Sequence, residues 1–194
     1  MNSTIEYYNK NADSFCGETK AVDFTPVQDR FLNRLEDRAY ILDFGCGSGR
    51  DAKYFLERDC KVDAIDGSEE MCKRASQFTG LDVKQMLFED LDEDYKYDGI
   101  WACSSILHLP KDQLKEVFKK MEKALRRGGV IYASFKYGEF EGERDGRYFT
   151  DFTEETFRDF LKDNEDLYIY NIWVSGDVRP DRGDQRWLNI LLEK

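Results

Sequence analysis

Apolar residues along this chain fall into short runs separated by stretches of helical spacing, and that alternation predicts most of its elements. Thr25-Pro26-Val27-Gln28 reads as a helix start, with Thr25 as N-cap, Pro26 at the first helical position and Gln28 closing a capping box. Val27, Phe31 and Leu35 then recur at four-residue steps on one face. An apolar run over residues 40–44 predicts the first strand, which ends in a glycine-rich turn and leads to a helix through Tyr54, Phe55 and Leu56. Residues 61–65 predict a second strand, after which Ser68 caps a helix reaching about Phe78. Strands three and four are expected at 83–87 and 99–103. Leu114, Val117, Phe118, Met121 and Leu125 form a helical stripe that Gly128-Gly129 should stop, and 130–135 is the fifth strand.

Strands that alternate with helices call for a parallel sheet with right-handed crossovers. After a helix capped by Thr153, two β-rich runs at 167–174 and 187–192 have no helix between them and should pair antiparallel at one edge. The expected fold is α/β: a Rossmann-like, seven-stranded, mostly parallel sheet with the last strand antiparallel and helices on both faces. Periodicity leaves the strand order open. No repeat, linker or break in composition divides residues 1–194, so one domain is expected.

Composition narrows the function classes. Lys plus Arg is 29 against 40 Asp plus Glu, a net charge of −11, which disfavours binding to a phosphate backbone. The five cysteines form no CxxC pair, and His108 is the single histidine, so no metal site is expected. No apolar run is long enough to span a membrane and the N-terminus does not read as a signal peptide, which leads to the expectation of a reduced, cytoplasmic protein.

The most informative segment is Leu42-Asp43-Phe44-Gly45-Cys46-Gly47-Ser48-Gly49-Arg50. A strand runs into three alternate glycines and then into a helix, which lets a ligand approach backbone N–H groups at the carboxyl edge of a parallel sheet. A dinucleotide fingerprint would place its third glycine where Arg50 stands, and a P-loop would need Gly-Lys-Ser/Thr. An NAD-dependent oxidoreductase is therefore the weaker reading of this turn. Asp66, at the end of the second strand, can accept hydrogen bonds from both hydroxyls of a ribose.

With these residues, the chain resembles the class I S-adenosylmethionine-dependent methyltransferases over nearly its whole length. The matching blocks are residues 41–50, 62–68, 97–110 and 125–129. Within that superfamily it is most similar to small bacterial enzymes labelled tellurite-resistance-like or generic small-molecule methyltransferases. The resemblance implies S-adenosylmethionine as cofactor. Gly45, Gly47 and Gly49 would line its methionine portion with Asp43 beneath the turn, Asp66 would take the ribose, and Ser68 and Met71 would lie near the adenine. Phe88 and Glu89 match the loop that sandwiches the adenine, and Ala102 and Cys103 match positions beside the sulfonium. Cys103 reads as a small buried hydrophobe rather than a nucleophile. Residues 7–15 resemble a lid segment folding over the cofactor, and Tyr8, Ala12 and Phe15 share one helical face. Residues 1–24 are then the lid, 25–135 the cofactor-binding half and 136–194 the acceptor side.

A sulfonium methyl needs no metal or covalent nucleophile, only alignment of acceptor, methyl and sulfur. A base matters where the acceptor must lose a proton, and His108 is the one obvious candidate. Lys136, Arg144 and Arg147 follow strand five, while Arg179, Arg182 and Arg186 precede the last strand. Both segments should rise over the cofactor. Arginine forks grip carboxylate or phosphate, so a small anionic acceptor is expected, with Tyr137, Tyr148, Phe149 and Trp187 as an apolar wall. The competing reading is that these cations neutralise their acidic neighbours Glu139, Glu141, Glu143, Asp145, Asp177, Asp181 and Asp184. A cofactor-binding module without catalysis fits the same residues. Neither the acceptor nor the oligomeric state is legible.

Overall fold

The computed structural model describes residues 3–179 and 182–194. Asp181, one of the expected partners of the arginines, lies outside the described residues. The element order is α1 (Ser3–Thr19), α2 (Thr25–Leu32), β1 (Tyr40–Phe44), α3 (Arg50–Leu56), β2 (Lys61–Asp66), α4 (Glu69–Thr79) and β3 (Lys84–Gln85). It continues through β4 (Tyr97–Ala102), α5 (Lys111–Ala124), β5 (Leu125–Lys136), β6 (Glu141–Arg144), β7 (Arg147–Thr150), α6 (Glu154–Leu161), β8 (Tyr168–Gly176) and β9 (Arg186–Glu193).

Seven strands form one sheet in the order β3-β2-β1-β4-β5-β9-β8. The first five run parallel, and β9 lies antiparallel between β5 and β8. That is the expected fold, now with its order. Because the chain reverses direction across the sheet between β3 and β4, a crevice opens where β1 and β4 diverge, the place where open α/β sheets hold ligands. The sheet is covered on both faces. One core gathers Phe44, Phe118, Met121, Phe135, Phe152 and Phe157 under α5 and α6. The other gathers Phe31, Phe55, Ala75, Trp101 and Tyr132 under α2, α3 and α4. No helix among the described residues is long and apolar enough to cross a membrane.

Local signals worked where a side chain could serve the backbone directly. Ser68 caps α4 by accepting the Met71 amide, and Thr153 caps α6 in a full capping box with Thr156. The box expected at Thr25 does not form. Phe24 occupies the cap position, the Thr25 amide donates to Asp23 Oδ1 at 3.0 Å, and the Gln28 side chain donates instead to buried Asp51 at 2.6 Å. A buried carboxylate short of donors outcompetes a helix end that water can reach. α5 also ends earlier than its stripe suggests. Leu125 leaves the helix to pair with Tyr97, so β5 absorbs Gly128 and Gly129 and runs for 12 residues. The third strand shrinks to two residues.

Candidate active site

Four strands deliver the site. The ends of β1, β2, β4 and β5 lead to Gly45, Asp66, Cys103 and Lys136 along one edge of the sheet, and β8 and β9 bring Asp177, Arg186 and Trp187 to the same edge. These residues line a single cavity of about 550 Å3. α1 lies across it as a roof.

The glycine turn is held from below. Asp43 accepts the Ala52 amide at 3.0 Å inside the turn, and burial, then the neighbouring Asp51 charge, pushes its carboxyl well above the usual range. Asp51 accepts from Gln28 Nε2, from Arg50 Nε and Nη2, and from Trp101 Nε1, all at 2.6–2.9 Å. Arg50, at the position where a dinucleotide fold keeps glycine, therefore sits half-buried in a bidentate pair and stacks on Phe24 at 4.7 Å. Gly45 and Gly47 have φ of +86° and +54° and face the cavity. Their neighbourhood is tight: a Cβ on Gly45 would lie 2.5 Å from Ser105 Cβ, and one on Gly47 would lie 3.3 Å from the Phe15 ring of α1. Asp66 accepts the Gly47 amide at 2.9 Å and the Ser68 amide at 2.8 Å, which fixes the carboxylate at the cavity wall.

Tyr8, Gly45, Gly47, Asp66, Ser68, Met71, Phe88, Glu89 and Cys103 all line the cavity, as do His108, Lys136, Arg144, Arg147, Arg179, Arg186 and Trp187. Three expected cofactor residues do not. Gly49 turns its back on the cavity, where a Cβ would strike Thr79 and Ala75 of α4. Ala102 is wholly buried in the sheet, and Asp43 works beneath the turn. Past Ala102 the wall is built by Cys103, Ser104 and Ser105, of which sequence reading found only the first. Burial pushes the Cys103 thiol up to about 12, so it stays protonated and is no nucleophile at neutral pH.

His108 is 9% exposed and has no free nitrogen. Its Nδ1 faces the Tyr148 carbonyl at 2.6 Å, which can only accept, so Nδ1 carries the proton. Nε2 then accepts from the Tyr8 hydroxyl at 2.9 Å. Burial, with a smaller contribution from Arg147, lowers the imidazole to about 4. This has a measurable consequence. Unfolding releases His108 to its ordinary value near 6.5, so the unfolded state binds the extra proton and stability rises with pH between these values. The His108 contribution is fully present above about pH 6.5 and is lost as pH falls toward 4; from pH 7 to 5 it amounts to about 2 kcal/mol. Denaturant titrations of wild type and His108→Gln at both pH values should differ in slope by about that amount, and equal slopes would refute the buried neutral imidazole.

The acceptor end is rich in cations, some matched and some not. Arg179 forms a bidentate pair with Asp177, whose carboxyl burial would raise but Arg179 and Trp187 Nε1 hold well below the usual range. Arg144 forks onto Asp151 at 3.2 Å, and Arg182 reaches Glu18 of α1 at 3.4 Å. Only the Arg179–Asp177 pair is one that the neutralising reading names; Asp151 and Glu18 are partners outside it. Lys136, Arg147 and Arg186 differ, having no carboxylate in ion-pair range among the described residues. Lys136 donates to Gln185 and lies 4.2 Å over Trp187; burial, joined by Arg179, Arg182 and Arg144, lowers it to about 8. Arg186 stacks on Tyr137 at 4.9 Å. Arg147 lies between Tyr7 at 4.3 Å and Phe149 at 5.0 Å, and its Nε is buried without a hydrogen-bond partner among the described residues.

A model of the methyltransferase domain matches residues 41–129, the stretch that builds the glycine turn, Asp66 and the end of β4. The matched stretch is just under half of the chain, and the chain is similar to S-adenosylmethionine-dependent methyltransferases in sequence and in fold. Among these it is 28% identical over 155 residues to the YqeM protein of Bacillus subtilis, a methyltransferase by name only, covering 74% of this chain and 57% of that one. It is 34% identical over 105 residues to a sarcosine/dimethylglycine N-methyltransferase of Halorhodospira halochloris, covering 50% of this chain and 37% of that one. The chain thus spans little more than half the length of these methyltransferases, or less. The crystal structure of the 1,6-didemethyltoxoflavin N1-methyltransferase of Burkholderia thailandensis, with its substrate and S-adenosylhomocysteine bound, superposes with a TM-score of 0.78 at 23% identity, over 98% of this chain and 84% of that one. The residues around the glycine turn fit the family's cofactor. Backbone too close-set for any Cβ at Gly45, a fixed carboxylate at Asp66 and apolar Met71 and Phe88 suit a nucleoside with an amino-acid arm.

Proposed function

We propose that this methyltransferase transfers a methyl group from S-adenosylmethionine to a small anionic acceptor. The supporting observation is Arg147: a guanidinium at the cavity wall, stacked between two rings, with a buried Nε–H that nothing in the described protein accepts. An unsatisfied donor of that kind costs about 1–3 kcal/mol, and a carboxylate or phosphate oxygen would remove the cost. Lys136 and Arg186 add positive charge that no carboxylate within ion-pair range offsets, in a protein whose net charge of −11 otherwise repels anions. The similarity to enzymes that act on sarcosine, dimethylglycine and a didemethyltoxoflavin supports a small molecule as acceptor.

Bound S-adenosylmethionine supplies a methyl group already activated on a sulfonium sulfur. What remains for the chain is to bind, orient and exclude water. Asp66, with the Gly45–Gly47 backbone, holds the cofactor end. Lys136, Arg147 and Arg186 hold the acceptor's anion, and Trp187 and Tyr137 wall it. Positioning of this kind is worth up to roughly 7–11 kcal/mol of a barrier. His108 acts on the acceptor only through Tyr8, because its basic nitrogen is already occupied by that hydroxyl. It is a positioning residue for the lid rather than a free base.

Labelled cofactor incubated with panels of small carboxylates, phosphates and neutral heterocycles tests the reading. Methylation should concentrate among the anions. Arg186→Lys, which keeps the charge and loses the fork, should raise the acceptor KM about tenfold while leaving S-adenosylhomocysteine affinity unchanged. Methylation of neutral compounds alone would overturn it.

A further inference from the structure

We propose that the β6–β7 hairpin couples the two ends of the cavity, so that an anion seated on Arg147 tightens α1 over the cofactor. This rests on the anionic acceptor proposed above. The hairpin turns at Asp145-Gly146, with φ of +53° and +74°, and stands beside the mouth of the cavity. It is tied to α1 at several points. The Tyr148 amide donates to Thr4 Oγ1 at 3.1 Å, Ser3 Oγ donates to Glu143 at 3.4 Å, and the Arg147 guanidinium lies on the Tyr7 ring at 4.3 Å. On the other side of the same residue, the Tyr148 carbonyl accepts from His108, whose second nitrogen takes the Tyr8 hydroxyl. The peptide units flanking Tyr148 therefore hold both α1 and the loop after β4.

α1 in turn grips the cofactor end. Asn9 Oδ1 accepts from Ser68 Oγ and from the Glu70 amide, Thr19 Oγ1 donates to Ser48 Oγ in the glycine turn, and Phe15 lies over Gly47. Asp13 pairs with Arg74 of α4 at 2.8 Å. One helix is thus pinned at its start by the hairpin and along its length by the cofactor-binding elements. An anion that engages the free Arg147 Nε fixes the guanidinium against Tyr7. Fixing Tyr7 and Tyr8 fixes the start of the helix, and a cofactor closing on the rest of α1 has less freedom left to remove. By linkage, the cofactor must strengthen the anion's binding by the same factor.

The probes are sodium benzoate and inorganic phosphate, with sodium chloride as the ionic-strength control. Direct titration first establishes saturation by either probe. At saturation the S-adenosylhomocysteine Kd should fall by at least about fivefold, within the usual span of allosteric coupling, and amide exchange in residues 3–19 should slow. Arg147→Met should remove the effect. Tyr7→Ala, which leaves the arginine in place, should still bind the probe yet lose most of the coupling. Arg186→Met should weaken the probe but keep the same fold-change once saturated. If a probe binds and the S-adenosylhomocysteine Kd stays within twofold, the coupling is wrong and the anion site stands. If neither probe binds, the anion site itself fails and the coupling with it. Coupling retained in both Arg147→Met and Tyr7→Ala would show that the hairpin does not carry it.

Discussion

Gly47→Val is expected to abolish S-adenosylhomocysteine binding in a chain that still folds. Gly47 has φ +54°, where a branched side chain costs roughly 1–2 kcal/mol, within the stability of an ordinary domain. Its Cβ alone would reach 3.3 Å from the Phe15 ring, and the two methyls of valine would fill the space between the turn and α1. That space is where the proposed function has the cofactor approach the backbone. Titration calorimetry alongside circular dichroism checks both halves of the expectation. Normal affinity in a folded variant would move the site elsewhere. Gly45→Ala makes the useful contrast: its Cβ would lie 2.5 Å from Ser105 Cβ, a clash with the cavity wall itself, so stability falls before binding can be asked about.

Asp51→Leu should produce the largest loss of stability of any single change in the site. Four hydrogen bonds converge on this buried carboxylate, and its removal leaves the half-buried Arg50 guanidinium at the cavity wall without its partner. Breaking a buried pair by deleting one partner costs about 3–5 kcal/mol, because the remaining charge is uncompensated. For a chain of this size that corresponds to a fall in Tm of roughly 6–20 °C. The double variant Asp51→Leu, Arg50→Met should recover much of the loss, since no unpaired charge is left behind. A scanning thermal melt of the three proteins decides it, and equal melting points for wild type and Asp51→Leu would remove the network from any role in holding the turn.

The sheet and the cofactor half were legible because local rules agree with the global fold there. Apolar strands, the glycine turn and the Ser68 cap each point the same way. The failures have specific causes. Gln28 has the sequence context of a helix cap because nothing in its neighbourhood announces Asp51, which lies 23 positions away and needs a donor. The acceptor side was legible as a collection of arginines but not as an arrangement. Which of them are matched depends on Asp151 and Asp177 folding back onto Arg144 and Arg179, and that leaves Arg147 as the exception. The β6–β7 hairpin went unread although Asp145-Gly146 is a strong two-residue turn signal. Its flanking strands are four residues each and mostly polar, and they form a sheet of their own. His108 lines the cavity, but its company is not legible in the sequence, since Tyr8 is 100 positions distant.

The position of β9 has a consequence for how the chain comes into being. The last strand in the sequence is an inner strand of the sheet, with Leu188, Ile190, Leu191 and Leu192 fully buried and β5 and β8 on either side. The glycine turn and the five parallel strands all lie within residues 40–136, so a chain that has not yet placed β9 leaves β5 with an open apolar edge. That edge is the kind that pairs with other chains. Arg186 and Trp187, at the start of β9, reach the cavity only when the strand slots in. A nascent chain can therefore acquire its cofactor cradle before it acquires its acceptor pocket, and chaperone dependence should centre on the interval between the two.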